Sequence, residues 1–251
     1  MPDILERIRN NLPIGHDLGI TADQISSLVE ATGAERWHVH AIVRRKYRRH
    51  ACVACEWLAS ALPRDAVVFE TACGSGANLL WLAGRGFHAL HGIDISEEAV
   101  RLAHEISRTT GVDLDVWKDD ALAPKEPKTL ELLAGGIDAV FSTSWLEYSP
   151  NETLGEFLRT YRPHLRPDGI VVFVSATHAY DSVPNNRYHS ADWKLPVEKR
   201  RPSEYKMRID AKEVAAVASD CGYRLERDAS FMTLVTGHPQ MATYMLRRLA
   251  A

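Results

Sequence analysis

The residues Glu70-Thr71-Ala72-Cys73-Gly74-Ser75-Gly76-Ala77-Asn78 carry the densest chemical signal in the sequence. Two glycines two apart let a backbone turn sharply and approach a ligand where a Cβ would block it. The helical run that begins at Asn78 would present free N–H groups and a positive dipole end to the same place. A dinucleotide pyrophosphate asks for a third glycine three residues further on, and that position is Leu79. Glu70, just before the turn, is a poor neighbour for a pyrophosphate and a good one for an ammonium group. The loop therefore favours a ligand with a cationic portion.

Three further segments follow at the ends of predicted strands. Asp94 closes His91-Gly92-Ile93-Asp94-Ile95-Ser96, where a carboxylate can accept both hydroxyls of a ribose; its alternative role is to cap the next turn. Asp119-Asp120-Ala121 comes next, and either carboxylate can accept from an exocyclic adenine amine. Ser142-Thr143-Ser144 supplies small polar groups after a fourth strand. The chemistry implied is recognition of an ammonium, a ribose and an adenine along one edge.

The elements that must position these groups alternate. Residues 66–69, 87–93, 112–116, 137–141 and 170–175 read as strands, with helices over 78–83, 96–110, 151–165 and 210–221. Two closing strands lie near 223–228 and 243–248. Ser96 followed by Glu97 and Glu98 is an N-cap with acid in the first turn, and Asp210-x-x-Glu213 has capping-box spacing. Such alternation gives parallel strands with crossover helices, an α/β doubly wound sheet, whose ligands sit outside the carboxyl ends of the strands. Residues 1–62 read as a helical extension, with a Thr21–Gln24 capping box and a stop at Gly33.

At this point the sequence resembles the class I S-adenosylmethionine-dependent methyltransferases. The matching pieces are E-T-A-C-G-S-G (70–76), G-I-D-I-S (92–96), D-D-A (119–121), I-D-A-V-F-S-T-S-W-L-E-Y (137–148) and L-R-P-D-G-I-V-V-F (165–173), in family order over roughly residues 60–250. The resemblance implies a Rossmann-like methyltransferase fold, a mostly parallel seven-stranded sheet with an antiparallel last strand. It implies S-adenosylmethionine as cofactor. The methionine part would lie on Glu70, Thr71, Ala72, Gly74 and Gly76, and the ribose on Asp94 beside Ile95. The adenine would lie on Asp120 or Asp119 with Ala121, and Ser142 would stand close by. Ala72 departs from the family in replacing the usual first glycine, and Glu147 stands where many small-molecule members carry histidine. An N-terminal helix often covers the cofactor in this family with an inward aromatic residue, for which Tyr47 and Trp37 are the candidates.

On the acceptor side, His178 after the fifth strand has an imidazole suited to general-base work near neutral pH, and Glu147 could neutralise a cationic amine. For each the alternative is a solvated surface side chain. Residues 176–208, with two prolines and several polar aromatics, form a long segment of little periodicity, and such segments are often functional; in the family this region covers the acceptor. The expected division is 1–62 as a lid, 63–251 as the catalytic domain, and 176–208 as an acceptor-covering insertion. Cys52-x-x-Cys55 lies in a helical pattern without a second ligand pair, so core packing is expected rather than a metal site. The basic run Arg44–His50 reads as a solvated helix face, with phosphate contact as its alternative.

Composition narrows the rest. At 251 residues, 45% hydrophobic and 25% charged, the chain is neither disordered nor a disulfide scaffold. A net charge of −3 gives no global basic field for nucleic acid. No apolar run approaches the ~20 residues that a membrane span needs. The start of the chain has no apolar signal core, and four cysteines suit a reducing cytoplasm. The expected activity is methyl transfer to nitrogen or oxygen of a small metabolite or natural-product intermediate. No nucleic acid or membrane partner is expected, and a homodimer is compatible with the sequence. An RNA, DNA or protein methyltransferase is opposed by the absence of an N/D-P-P-Y/F tetrapeptide after the fourth strand, where Ser142-Thr143-Ser144-Trp145 stands. A nicotinamide oxidoreductase is opposed by Leu79 and Glu70, and a non-catalytic cofactor-binding protein stays open.

Overall fold

The computed structural model describes residues 18–43, 49–143, 145–189, 192, 194–232 and 239–250. Tyr47 and most of the basic run lie outside them. Among the described residues three helices lead, α1 (Ala22–Thr32), α2 (Trp37–Val43) and α3 (Arg49–Ala61). The capping box forms as the sequence predicts, with Gln24 N donating to Thr21 Oγ1 at 3.2 Å and Thr21 N to Gln24 Oε1 at 2.9 Å. Gly33 then takes the left-handed conformation that ends α1.

The alternating region follows as β1 (Val68–Thr71), α4 (Ala77–Ala83), β2 (Leu90–Asp94), α5 (Glu97–Thr110), β3 (Asp115–Lys118), α6 (Pro127–Gly135), β4 (Ile137–Ser142), α7 (Glu152–Tyr161), β5 (Leu165–Ala176), α8 (Ala211–Asp220), β6 (Tyr223–Met232) and β7 (Pro239–Arg248). They build one seven-stranded sheet in the order β3-β2-β1-β4-β5-β7-β6. Strands β1 to β5 pair parallel, and β7 inserts antiparallel between β5 and β6. The order reverses at β1 and β4, so the loops after these two strands open a crevice at the sheet's switch point.

Helices cover both faces, which explains why the central strands read as unbroken apolar runs. One core cluster joins Ile25, Val29, Trp57 and Leu58 of the leading helices to Val68, Phe141 and Val172. The leading helices are thus built into the core of the sheet. Cys52 and Cys55 are fully buried within this cluster, as core packing requires. The other face packs Phe69, Phe173 and Tyr244 against Phe157 and Tyr161 of α7 and Val214 of α8. No helix among the described residues is long and apolar enough to cross a membrane.

The stretch after β5 is more ordered than its composition predicts. Short 3-10 turns occupy His178–Ser182, Pro184–Arg187 and Val197–Lys199. Tyr188 bridges to Pro202, and His189 N donates to Arg201 O at 2.9 Å. Arg201 grips Asp192 through Nε and a terminal nitrogen at 2.8 and 2.9 Å. These Arg201 contacts, its side-chain bond first, hold the Asp192 carboxyl well below the usual range. A group depressed in this way stabilises above its unfolded value and loses that contribution as pH falls. Acidification toward pH 3 should therefore lower the amide protection factors in 183–203 before those in β4 and β5. Simultaneous loss of protection in all of these segments would show that the insertion has no separate acid sensitivity.

Candidate cofactor and acceptor site

The loop after β1 contains three left-handed residues, Ala72 (φ 50°), Gly74 (φ 55°) and Gly76 (φ 72°). Cys73 N is tied back to Ile93 O at 2.9 Å, and Gly76 caps α4, with its carbonyl accepting from Leu80 N at 2.8 Å. Ala72 thus adopts the conformation that the family's usual glycine adopts freely. For an L-residue the left-handed region costs roughly 1–2 kcal/mol, partly offset by the greater chain entropy that glycine loses on folding. Ala72→Gly should raise stability by up to ~1 kcal/mol, about 2–4 °C in Tm for a chain of this size. A lowered Tm would mean that the alanine methyl packs favourably.

Space above the loop is also limited. A Cβ on Gly74 would lie 3.2 Å from His38 and from Trp37, whose rings stack with centroids 3.7 Å apart. The start of α2 therefore lies on the glycine turn. Trp37 is 44% exposed while His38 is buried. Of the two aromatic candidates on the N-terminal helices, Trp37 is brought to the loop; Tyr47 is outside the described residues.

Asp94 joins this loop to the next. Its Oδ2 accepts from Gly74 N at 2.7 Å and its Oδ1 from Ser96 N at 2.9 Å. Burial raises its pKa, and the N–H groups of Ser96 and Gly74 only partly offset this. A cavity of about 290 Å³ opens beside it, lined by Gly33, Glu35, Trp37, His38, Asp94 and Ser96, among others. Neighbouring Ile95 is 68% exposed, an apolar side chain available to cover a flat ring.

Glu70 is buried and accepts from the Asn78 amide, which also donates to Thr143 Oγ1 at 2.8 Å. Asn78 thus links the loops after β1 and β4. It sits in the first turn of α4, and the signal that could have singled it out is an amide two residues after a glycine loop that follows a carboxylate. A second link runs from Trp145 Nε1 to Thr71 Oγ1 at 3.2 Å. Ser142 is wholly buried at the end of β4.

The two aspartates after β3 differ. Asp119 is 5% exposed. Its carboxylate accepts from Asp120 N at 2.8 Å, Lys125 N at 3.1 Å, Glu126 N at 3.2 Å and the Thr129 hydroxyl. Burial pushes its pKa up, but the Thr129 hydroxyl and these N–H groups outweigh it and hold the carboxyl below the usual range. Asp119 therefore braces the 119–129 turn. Asp120 is half-exposed and uses Oδ1 on Leu122 N at 2.8 Å. The Ala121 carbonyl accepts from the Tyr161 hydroxyl at 2.7 Å.

On the acceptor side, Glu147 lies in a 3-10 turn (Leu146–Tyr148) and is 3% exposed, so its alternative as a solvated surface side chain fails. Its main-chain carbonyl accepts from Lys206 N at 2.8 Å and Met207 N at 3.2 Å, fastening the insertion to the end of β4. His178 stands elsewhere, with a side chain 56% exposed and Nε2 2.7 Å from Glu213 Oε2. Glu213 also closes the capping box of α8 with Asp210. The ligand atoms of His178, Asp210 and Glu213 lie within 4.8 Å of one another, all exposed. The capping box and the imidazole pair account for this grouping without a metal.

Residues 68–169, which contain the glycine loop, Asp94, both aspartates after β3 and Glu147, match the family model described as a methyltransferase domain. No curated protein matches the chain. Among solved structures, it is similar to a magnesium protoporphyrin IX methyltransferase from Synechocystis with bound SAH. The identity is 15% and the TM-score 0.61, covering 89% of this chain and 94% of that one. A methyltransferase from Methanosarcina mazei gives 18% and 0.60, covering 78% and 98%, and one from Clostridium acetobutylicum 14% and 0.60, covering 85% and 97%. At such identities the likeness is one of fold, and it is the seven-stranded fold described above. Residues 68–169 thus match a methyltransferase domain, and the fold that carries them is similar to that of a methyltransferase solved with bound SAM or SAH.

Proposed function

We propose that the chain is a class I S-adenosylmethionine-dependent methyltransferase, that its acceptor is a small molecule methylated on nitrogen or oxygen, and that residues 176–208 cover it. The observation that carries this reading is the hydrogen-bonded cap over the ends of β4 and β5, fastened at the Glu147 carbonyl. A folded macromolecule could not reach beneath a cap held in this way. Of residues 1–62, the part that covers the cofactor is the start of α2, where Trp37 lies on the glycine turn, and 63–251 form the catalytic domain. The four cysteines, all buried free thiols, suit the reducing cytoplasm.

In this reading Glu70 and the turn through Thr71, Ala72, Gly74 and Gly76 hold the methionine portion. Asp94 holds the ribose, Ile95 covers the adenine, and Asp120 with Ala121 accepts or donates at its edge. Ser142 stands behind them. When bound, the cofactor supplies an activated methyl on a sulfonium that already carries its leaving group. The chain's task is alignment of the acceptor and exclusion of water. His178, oriented by Glu213 as a base is oriented by a third group, would hold the proton of a hydroxyl acceptor.

The testing experiment is calorimetry followed by an acceptor screen. S-adenosylhomocysteine should bind and NAD should not. Turnover on RNA or whole protein with none on small acceptors would overturn the small-molecule reading. His178→Ala should lower turnover on a hydroxyl acceptor while leaving cofactor affinity unchanged. Unchanged turnover would remove the base assignment.

A further inference from the structure

We propose that Thr129 is a positioning residue for base recognition, and that it sets the angle at which Asp120 and Ala121 meet the edge of the adenine. This rests on the reading above, in which those two residues stand at the adenine, and deepens it.

The part of that dipeptide open to a ligand is small. Asp120 commits Oδ1 to Leu122 N at 2.8 Å and Ala123 N at 3.3 Å. The Ala121 carbonyl takes the Tyr161 hydroxyl at 2.7 Å. Asp120 Oδ2 and Ala121 N have no partner among the described residues. One oxygen that accepts and one N–H that donates, on adjacent residues, match the 6-amino group and N1 of adenine. They oppose hypoxanthine, whose 6-oxo oxygen and N1–H present the reverse order. Such a pair discriminates only while it faces the base squarely, because a hydrogen bond weakens steeply once its angle falls below ~120°.

The groups that fix this angle lie behind the pair. Asp120 N donates to the Asp119 carboxylate at 2.8 Å, so the Asp119 side chain sets the peptide plane that leads into Asp120. Thr129 aims that side chain. Trp117 Nε1 donates to Thr129 Oγ1 at 2.7 Å, and Thr129 Oγ1 donates to Asp119 Oδ2. The residue types dictate the direction of this relay. An indole N–H only donates and a carboxylate only accepts, so the single hydroxyl proton goes to Asp119. A hydroxyl that donates to a charge is also a stronger acceptor for the indole.

Both ends of the relay are firm. Thr129 is wholly buried in the first turn of α6. Trp117 packs 6.2 Å from Phe69 with the ring planes 28° apart, and the Lys128 ammonium lies 4.5 Å from its centroid. Lys128 is in turn paired with Asp115 on the same strand as Trp117. The other donors to Asp119, Lys125 N and Glu126 N, belong to the turn that Asp119 itself closes. Thr129 ties the carboxylate to the sheet, through a residue that does not touch the base.

The test is calorimetry on the full-length protein with S-adenosylhomocysteine and S-inosylhomocysteine, which differ only along this edge of the base. The parent should bind the adenine compound at least ~tenfold tighter, since the inosine compound leaves a polar pair opposed. Thr129→Val keeps the shape, removes the hydroxyl, and should cut that ratio to about threefold or less. Thr129→Ser should retain it. A purely structural Thr129 would lower Tm and weaken both compounds alike, so an unchanged ratio in Thr129→Val would overturn the inference. If that variant fails to fold, Trp117→Phe, which removes the indole donor, should lower the ratio in the same direction. An unchanged ratio there would overturn the inference as well. Equal binding of the two compounds by the parent would remove Asp120 and Ala121 from the adenine edge, and the inference with them. Failure of the parent to bind either compound would strike the cofactor site itself, a different result from the others.

Discussion

Asp94→Ala should weaken S-adenosylhomocysteine binding by at least ~tenfold. A ribose would donate two hydrogen bonds to this carboxylate, each contributing on the order of 1.5–3 kcal/mol when the acceptor is charged, and ~1.4 kcal/mol is already tenfold. The structure adds a second cost, because Asp94 also holds Gly74 N and Ser96 N. Removing it loosens the glycine turn, so the loss should exceed that expected for the ribose contacts alone. The pH dependence has a defined sign. Burial raises the pKa of free Asp94, whereas hydroxyl donors favour the ionised form and would lower it in the complex. Affinity should therefore be full above the raised pKa and fall as pH drops through it, with proton release on binding in that window. Asp94→Asn should flatten the profile. An unchanged dissociation constant in Asp94→Ala would leave Asp94 as a capping residue only.

The second large effect separates the neighbouring aspartates. Asp119→Ala would strand the N–H groups of Asp120, Lys125 and Glu126 and the Thr129 hydroxyl. Each buried donor left unmet costs ~1–3 kcal/mol. Even if water satisfies half of them, a loss of about 2 kcal/mol or more is expected, which is roughly 4–8 °C in Tm at this chain length. Asp120→Ala should cost far less stability, because Asp120 is half-exposed, but should weaken cofactor binding. Thermal unfolding and calorimetry on the two variants together decide the matter. A stable Asp119→Ala protein with lost cofactor affinity would reverse the assignment.

These two residues mark the limit of what the sequence discloses. Their adjacency after the third strand is legible, but which one turns inward depends on the 119–129 turn and on α6, whose periodicity is too short to stand out. The parallel α/β sheet follows from the alternation, and the antiparallel last strand is what the family resemblance implies; the strand order itself is read from the structure. Strand ends are less legible: β5 runs from Leu165, through the Pro167-Asp168-Gly169 that reads as a turn. Glu70, Asp94 and the glycines are readable because backbone geometry and charge dictate their types. Asn78 is less so, since half of its role lies in the bond to Thr143, 65 residues away along the chain. The exposed His178 illustrates the opposite case: a residue type suited to catalysis whose recorded partner lies on α8.

The insertion leaves β5 and returns at nearly the same point, for Ala176 O accepts from Ile209 N at 3.1 Å and Thr177 N donates to Gln240 O at 2.9 Å. Between these anchors it satisfies many of its own polar groups. Such an excursion is a cassette in the evolutionary sense. Doubling its length would cost only ~0.6 kcal/mol of closure entropy, and its residues can be rewritten without touching the turn after β1. If this segment covers the acceptor as proposed, one sheet can acquire new acceptors by exchanging a single surface segment while its methyl donor stays the same.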